Sequence, residues 1–464
     1  MRLFDSTVVA LLTLSATAAL AQPNSAPEGS GDMASFEHDL DALFVQGGLT
    51  ADQAAARGGK ASPTVRKSAA SIDISVATAE AAELVRVPRV GVSATYTRLS
   101  PLDPVQLGAP GSGAPAFEFS ENSYAGQAQV AIALSEYVTR YPRLIAGARL
   151  GIEAARAGKR ASEVGAGHEA RIAYYEWVRA RLQVMIARRQ LTQVRATLGQ
   201  VRALAEAQRL STADRMRVES QEAQAEQIVD QLQNLAELRE EQLRLLIDAG
   251  PEPLTIGEDI RGELGSPAAQ PLDALLKTAL HQRLEFRALD TGIAAKEKQR
   301  DAETVSWYPR LSAFATADYA RPNQRVFPQA DEFRFTWQAG LQLSWTLNDT
   351  LTTKAAVRRY DAESRELRAD RDNLERGIRL AALAAQQAVS LARKALGTSQ
   401  KGLIAAEESY RVRQALLGAQ RATAVELVDA ETELTRARIT ALNARIDLRV
   451  ALAQLANALG DDVK

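Results

Sequence analysis

The chain has no cysteine anywhere in its 464 residues. That excludes disulfides, thiol chemistry and a lipid-modified N-terminal cysteine, and leaves packing alone to stabilise the protein. Aromatic residues make up only 5% of the sequence, and long segments contain neither glycine nor proline. The length would suffice for roughly two to four ordinary domains, but the turn residues needed to build them are too few. Neither sign of charge is in excess: 56 Lys and Arg against 57 Asp and Glu leave a formal net charge of −1, which gives no footprint for a nucleic-acid partner. Beyond the N-terminus no stretch approaches about 18 apolar residues, so no transmembrane helix is expected. His38, His168 and His281 are scattered, without an H-x-x-x-H or an acidic box beside them, and neither Gly-x-x-x-x-Gly-Lys-Ser/Thr nor G-x-S-x-G occurs. No metal site, cofactor or catalytic constellation is expected, and the chain reads as no enzyme.

What is present is helix-forming. Ala, Leu, Arg, Glu and Gln dominate, the composition of long helices and coiled coils. At the N-terminus, Arg2, an apolar run from Val8 to Leu20 and the small-x-small triplet Ala19-Leu20-Ala21 read as a secretory signal over residues 1–21. Residues 22–47, rich in Gly, Ser, Pro and Asp, read as a mobile tail.

The most informative segment is 335–347, FTWQAGLQLSWTL, where Phe335, Trp337, Leu341, Leu343, Trp345 and Leu347 alternate with Thr336, Gln338, Gly340, Gln342, Ser344 and Thr346. Successive strand side chains point to opposite faces, so one face is apolar and the other small and polar. A bilayer-spanning strand needs about 9 to 11 residues, lipid on one side, water on the other, and aromatics near the interfaces. Similar alternation marks about 87–99, 124–134 and 308–320, which pair into two hairpins, the first across a loop from Pro101 to about Ser120.

The order recurs. Val87-Pro88-Arg89-Val90 and Ala94-Thr95 match Tyr308-Pro309-Arg310-Leu311 and Ala315-Thr316 at an offset of 221; Ala207-Gln208-Arg209-x-Ser211-x-x-Asp214 matches Ala419-Gln420-Arg421-x-Thr423-x-x-Glu426 at 212. Two matches in one order imply a duplicated unit of helix, hairpin, long helix, tip and return helix. The first repeat spans 48–249, with long helices at about 144–207 and 214–248; the second spans 272–460, with long helices at about 351–417 and 424–459. Pro- and Gly-rich residues 250–271 read as the linker between them. The first repeat's opening helical stretch, Leu49 to Arg86, reads as broken at Gly58-Gly59 and at Pro63. A helix of about 60 residues extends about 90 Å, more than a compact domain holds.

A lone hairpin cannot cross a bilayer, because its edge N–H and C=O groups would face hydrocarbon unpaired. Four strands are too few for a barrel with a lumen, so several chains have to pool them; three chains give twelve. The expected fold is therefore mostly α with a membrane β-barrel portion, a trimeric 12-stranded barrel continued by an α-helical tunnel.

At this point the sequence resembles the TolC-type outer-membrane efflux family from Leu49 to Gly460. The resemblance is carried by Leu49-Thr50-x-x-Gln53-Ala54-Ala55, Arg283-Leu284-Glu285, Tyr308-Pro309-Arg310-Leu311-Ser312, Arg421-Ala422-Thr423-Ala424-Val425-Glu426-Leu427-Val428-Asp429-Ala430, Leu434 and Ala458-Leu459-Gly460. One departure is Gln420, where the family usually places a tip glycine. The resemblance implies an outer-membrane homotrimer reaching into the periplasm, in contact with outer-membrane lipid. It further implies docking through a periplasmic adaptor to an inner-membrane transporter, to export small molecules or polypeptides.

Glu426 and Asp429 lie three apart on one helical face. First-turn acids complement the helix dipole; in the resembling family the matching acids ring the periplasmic entrance, which makes this pair gate candidates. Gln208, Arg209, Ser211, Asp214, Gln420, Arg421 and Thr423 mark the tips and are candidates for adaptor contact, with Ser211, Asp214 and Thr423 serving as caps. The alternative of another class is a soluble periplasmic coiled-coil scaffold with small sheet caps. A helix-bundle enzyme would need an inward cluster of acids and histidines, which is missing. Long extracellular and short periplasmic connections set the topology: single cysteines at Gly111 and Gln324 label with an impermeant maleimide in intact cells, and one at Gln208 does not. The opposite pattern means an inverted protein.

Overall fold

The computed structural model describes residues 36, 38–102, 105–106, 116–117, 120–208, 210–262, 271–327, 330–419 and 421–460. The signal segment lies outside them.

Local rules place the first helices. Thr50 Oγ1 accepts from the Gln53 N–H and Gln53 Oε1 accepts from the Thr50 N–H, both at 3.3 Å, a capping box that starts α1 (Ala51–Ala61). Ser62 caps again and Pro63 opens α2 (Pro63–Leu84) at the first helical position, where its missing N–H costs nothing. The expected break at Gly58-Gly59 does not occur. Helix α1 runs through both glycines because they are its contact with a neighbouring helix: a Cβ on Gly58 would sit 2.4 Å from Ala170 Cβ, and one on Gly59 2.9 Å from the Glu163 carbonyl oxygen.

After α2 the chain forms β2 (Arg89–Arg98) and β5 (Asn122–Ile132), with the two-residue strands β3 (Val105–Gln106) and β4 (Ala116–Phe117) paired between them. Leu134, expected at the end of the second strand, instead opens a short helix, α3 (Leu134–Thr139). Then come α4 (Tyr141–Glu206) and α5 (Thr212–Ile247), a hairpin of 66 and 36 residues. The second half repeats this with α6 (Leu272–Gln282), α7 (Leu284–Thr304), β6 (Arg310–Arg321), β7 (Arg334–Ser344), α8 (Asp349–Gly418) and α9 (Ala424–Leu459). An offset of 221 carries α1 onto α6 and the start of β2 onto the start of β6. An offset of 212 carries α5 onto α9 end to end and the last residue of α4 onto the last of α8. At about 1.5 Å per residue, α4 and α8 each exceed about 95 Å.

The four long strands form one antiparallel sheet in the order β2-β5-β6-β7, in which the two repeats meet at β5 and β6. Among the described residues no helical layer covers this sheet, and β2 is exposed at all ten of its positions. Strand β7 stops at Ser344, so Trp345 and Leu347 lie beyond it. The reason is local, since the Asp349 and Thr350 N–H groups bond back to the Thr346 and Leu347 carbonyls at 3.0 and 3.2 Å and turn the chain into α8.

The helices form an open row, α5 on α4, α4 on α9, α9 on α8, with α2 along α4 and α7 between α4 and α8. Their contacts are a string of small Ala, Val and Leu clusters, joined by one larger cluster around Tyr174, Trp177, Leu182, Leu243 and Ile446.

The described parts of two segments expected to be loose are docked on that cluster. Within the tail expected over 22–47, residues 38–43 are helical, Phe44–Leu49 is strand β1, Leu40 is buried and Asp39 pairs with Arg189 at 2.7 Å. Phe36, Leu40, Leu43 and Phe44 recur at helical spacing, a stripe too short to stand out beside the Gly- and Pro-rich residues before it. The described part of the connection, residues 250–262, is likewise docked: the Leu49 N–H donates to the Thr255 carbonyl and the Gly257 N–H to the Leu49 carbonyl, both at 2.8 Å. This backbone pairing needs glycine, because a Cβ on Gly257 would lie 2.1 Å from the Gly48 oxygen.

Leu341→Arg, near the middle of β7 on its apolar face, is expected to destabilise the membrane-embedded protein by about 2 to 4 kcal/mol, and Gln342→Arg, on the polar face, to be mild. Denaturant unfolding from vesicles checks the contrast, and equal costs would mean that the two faces see the same solvent.

Candidate functional site

Three regions bear on function, the two faces of the sheet, the helical tips and the junction at mid-length. Direct register partners share a face, so Ser93, Gln127, Asp318 and Thr336 form one row and Gly91, Gln129, Thr316 and Gln338 the next. This face is polar, and Gln127 Nε2 donates to Asp318 Oδ1 at 2.9 Å. The other face carries Val90, Val92, Ala128, Ala315, Ala317, Trp337, Leu341 and Leu343, with Phe335 at its end. Its aromatics gather at both ends of the strands. Tyr96, Tyr124, Tyr319 and Phe333 lie 5.0 to 6.3 Å apart by ring centres at the loop end, and Trp307, Tyr308 and Trp345 are exposed at the helix end. Of this belt the sequence reasoning named Phe335, Trp337 and Trp345 and missed Tyr96, Tyr124, Tyr319 and Phe333. Their position at strand ends was the available signal.

At the tips, Ser211 Oγ accepts from the Asp214 N–H at 3.2 Å, and Thr423 Oγ1 accepts from the Glu426 N–H at 3.2 Å. These caps start α5 and α9. Gln208 turns the first tip with a left-handed φ of 57°; Arg209 and Gln420 lie outside the described residues. Leu198, Val201, Val218, Ala424 and Val428 pack together and join the tips of the two hairpins. Glu426 and Asp429 are exposed, and each faces an arginine: Arg413 at 3.9 Å from Glu426, and Arg217 at 3.7 Å from Asp429. Arg217 belongs to the other hairpin, so this contact ties the tips together, at a worth of about 0.2 to 1 kcal/mol for an exposed pair. Both arginines escaped the sequence reasoning, since their partners come from other helices. Arg421 and Thr423 are exposed beside them.

At the junction, Glu258 reaches three elements. Its carboxylate meets the Ala51 N–H at the start of α1 at 3.4 Å, Tyr175 Oη of α4 at 3.5 Å and Arg449 Nε of α9 at 3.4 Å. Arg449 is buried and also donates to the Gly262 carbonyl at 3.1 Å. Burial, reinforced by the Glu258 charge, pushes the Tyr174 and Tyr175 phenols well above their usual range. Burial and then the Arg171 charge hold the His168 imidazole below its ordinary value, which keeps it neutral. Among the described residues no group of three or more His, Cys, Asp or Glu is placed to hold a metal ion, and no helix is long and apolar enough to cross a membrane.

Comparison with known proteins adds the family. The profile of the outer membrane efflux protein family matches residues 275–461. This part of the chain is similar to the outer membrane efflux protein family. It takes in most of α6 and all of α7, β6, β7 and the second helical hairpin. The family expectation drawn from the sequence holds. No curated protein matches by sequence comparison. Among solved structures the fold is similar to that of the Neisseria gonorrhoeae MtrE outer membrane channel, with a TM-score of 0.72, 18% identity and 89% of each chain covered. The Vibrio cholerae outer membrane protein VceC gives 0.70 and 14%, over 93% of this chain and 97% of that one. The Campylobacter jejuni CmeC outer membrane channel gives 0.71 and 11%, over 97% and 93%. The shared fold therefore extends past the efflux domain into the first repeat.

Glu258→Gln leaves the Arg449 guanidinium buried without its counter-charge and is expected to cost about 1 to 3 kcal/mol, read as a lowered unfolding midpoint. A midpoint equal to the parent's would show that the Gly262 carbonyl alone satisfies Arg449.

Proposed function

We propose that this chain is one protomer of a homotrimeric outer-membrane channel that carries small molecules or polypeptides passively from the periplasm to the exterior. The observation that carries this reading is the uncovered sheet, polar on one face and apolar with aromatic ends on the other, continuous with helices of about 100 Å. In the bilayer the outer edges of β2 and β7 have to be paired, at a cost of several kcal/mol per orphaned group otherwise. Three four-stranded sheets close a barrel of twelve with the polar face inward. A soluble periplasmic scaffold is not favoured, because it would have to leave Trp337, Leu341 and Leu343 in water. The tips face the periplasm, where an adaptor docked near Gln208, Ser211, Asp214, Arg421 and Thr423 couples the channel to an inner-membrane transporter.

Glu426 and Asp429 form the entrance gate in this reading. Three copies bring six carboxylates near one axis, a field that concentrates cations, while Arg217 and Arg413 set how far each carboxylate swings. The double variant Glu426→Gln/Asp429→Asn is expected to weaken cation selectivity and block by multivalent cations in planar bilayers, with trimer assembly intact. As first-turn acids only, the two would contribute about 0.3 to 1 kcal/mol each to helix stability and leave conductance as it was. Unchanged selectivity and block in a properly assembled double variant would reduce them to caps.

A further inference from the structure

The apolar face of the sheet is charged at one end only. Among the described residues of the four long strands, that face holds two charged positions, Arg98 and Arg321, which close β2 and β6 at the loop end. At the helix end the same face finishes in Val90, Ile132, Leu311 and Leu343. A strand face made for two like leaflets would end alike at both, so the difference reflects what surrounds the loop end. The outer leaflet of an outer membrane is built from glycolipid with phosphates on its sugars, and the inner leaflet from phospholipid. We infer that Arg98 and Arg321 form a site for a phosphorylated disaccharide glycolipid of the outer leaflet, one phosphate to each guanidinium, with the acyl chains against the apolar face below. This rests on the reading above, in which the loop end lies outside, and goes beyond it.

The register fixes the depth of the two arginines. Tyr96, Tyr124 and Arg321 are direct partners in one row, and Arg98 with Asn122 forms the next row outward. Arg321 therefore lies level with the aromatic belt that marks the interface, and Arg98 just beyond it, where headgroups sit. Two strand spacings and two residues separate their Cα atoms, about 12 Å, a span that a disaccharide phosphorylated at both ends covers. Both guanidinium groups are held in place with donors to spare. Arg321 lies 6.0 Å from the Phe333 ring centre and donates from Nε and Nη2 to Asp331 at 3.0 and 2.7 Å, which leaves Nη1 without a hydrogen-bond partner among the described residues. Arg98 donates from Nη1 to Asn122 Oδ1 at 2.9 Å, where the Tyr96 hydroxyl also donates at 3.1 Å, and from Nη2 to Glu121, which leaves Nε. With side chains 60% and 40% exposed, the arginines make ion pairs of the solvated kind that contribute little. A phosphate is a doubly accepting, fully charged partner for the guanidinium fork. Glu121 and Asp331 thus aim the arginines without outcompeting the lipid.

The test titrates the full chain, purified in detergent, with bisphosphorylated lipid A and follows the complex by native mass spectrometry. The parent is expected to bind, and Arg98→Gln/Arg321→Gln to bind about tenfold or more weakly. Lipid A stripped of both phosphates is expected to bind parent and variant alike, and so is phosphatidylglycerol. Glu121→Gln/Asp331→Asn frees both guanidinium groups and should bind bisphosphorylated lipid A severalfold tighter. Equal affinity of the parent and the arginine variant would reduce Arg98 and Arg321 to polar strand ends and overturn the site. Loss of binding in the carboxylate variant would mean that a divalent cation on the acids holds the lipid, and overturns it too. Phosphatidylglycerol binding that depends on the two arginines to the same extent overturns the choice of a glycolipid. Conductance in planar bilayers keeps these outcomes apart from failure of the channel reading, since in that case the parent itself forms no channels.

Discussion

The structure depends on one requirement, that no backbone N–H or C=O of a strand be left unpaired in hydrocarbon. Four strands in an open sheet violate it at two edges. The violation cannot be repaired inside the chain, because β2 and β7 belong to different repeats and lie at opposite sides of the sheet. The helices inherit the same incompleteness: their row also ends in one member of each repeat, α5 and α8. Sheet and helix row are thus open at corresponding places, each at one element of either repeat.

Duplication explains why a chain with few turn residues builds so large an object. Each repeat uses the same three devices, a short helix, a hairpin, and a coiled-coil hairpin turned by a Ser/Thr cap, although only the first repeat's short helix carries a side-chain cap of its own. The repeats differ where symmetry would do harm. Arg140 interrupts the first long helix and gives a separate α3, whereas α8 runs on from Asp349 without a break. Among the described residues the Glu258 network has no counterpart at the end of the second repeat, since it uses the connection between the repeats to bind α1, α4 and α9 together.

Much of this was legible before the fold was known. Period-two alternation in β7 needs only its own residues to be seen, as do the caps at Ser211 and Thr423, and the duplication follows from counting offsets. What stayed hidden depends on partners far away in sequence. Gly58 and Gly59 look like breakers until Ala170 and Glu163 are placed against them. Residues 38–47 look like tail until Arg189 is found against Asp39 and Ile256 against Phe44. Arg217 and Arg413 are two arginines among many until the tips are folded back on each other. At the gate candidates, both acids were found from their own helix, and both of their partners were not.

The long helices change companions half-way. Beside the sheet α4 and α8 are accompanied by α2 and α7, of 22 and 21 residues; toward the tips they are accompanied by α5 and α9, of 36 each. Neither set of companions crosses the level where α1, α6 and the docked connection lie. At that level the largest apolar cluster, around Tyr174, Trp177, Leu182, Leu243 and Ile446, and the docked connection between the repeats take the place of a continuous companion helix.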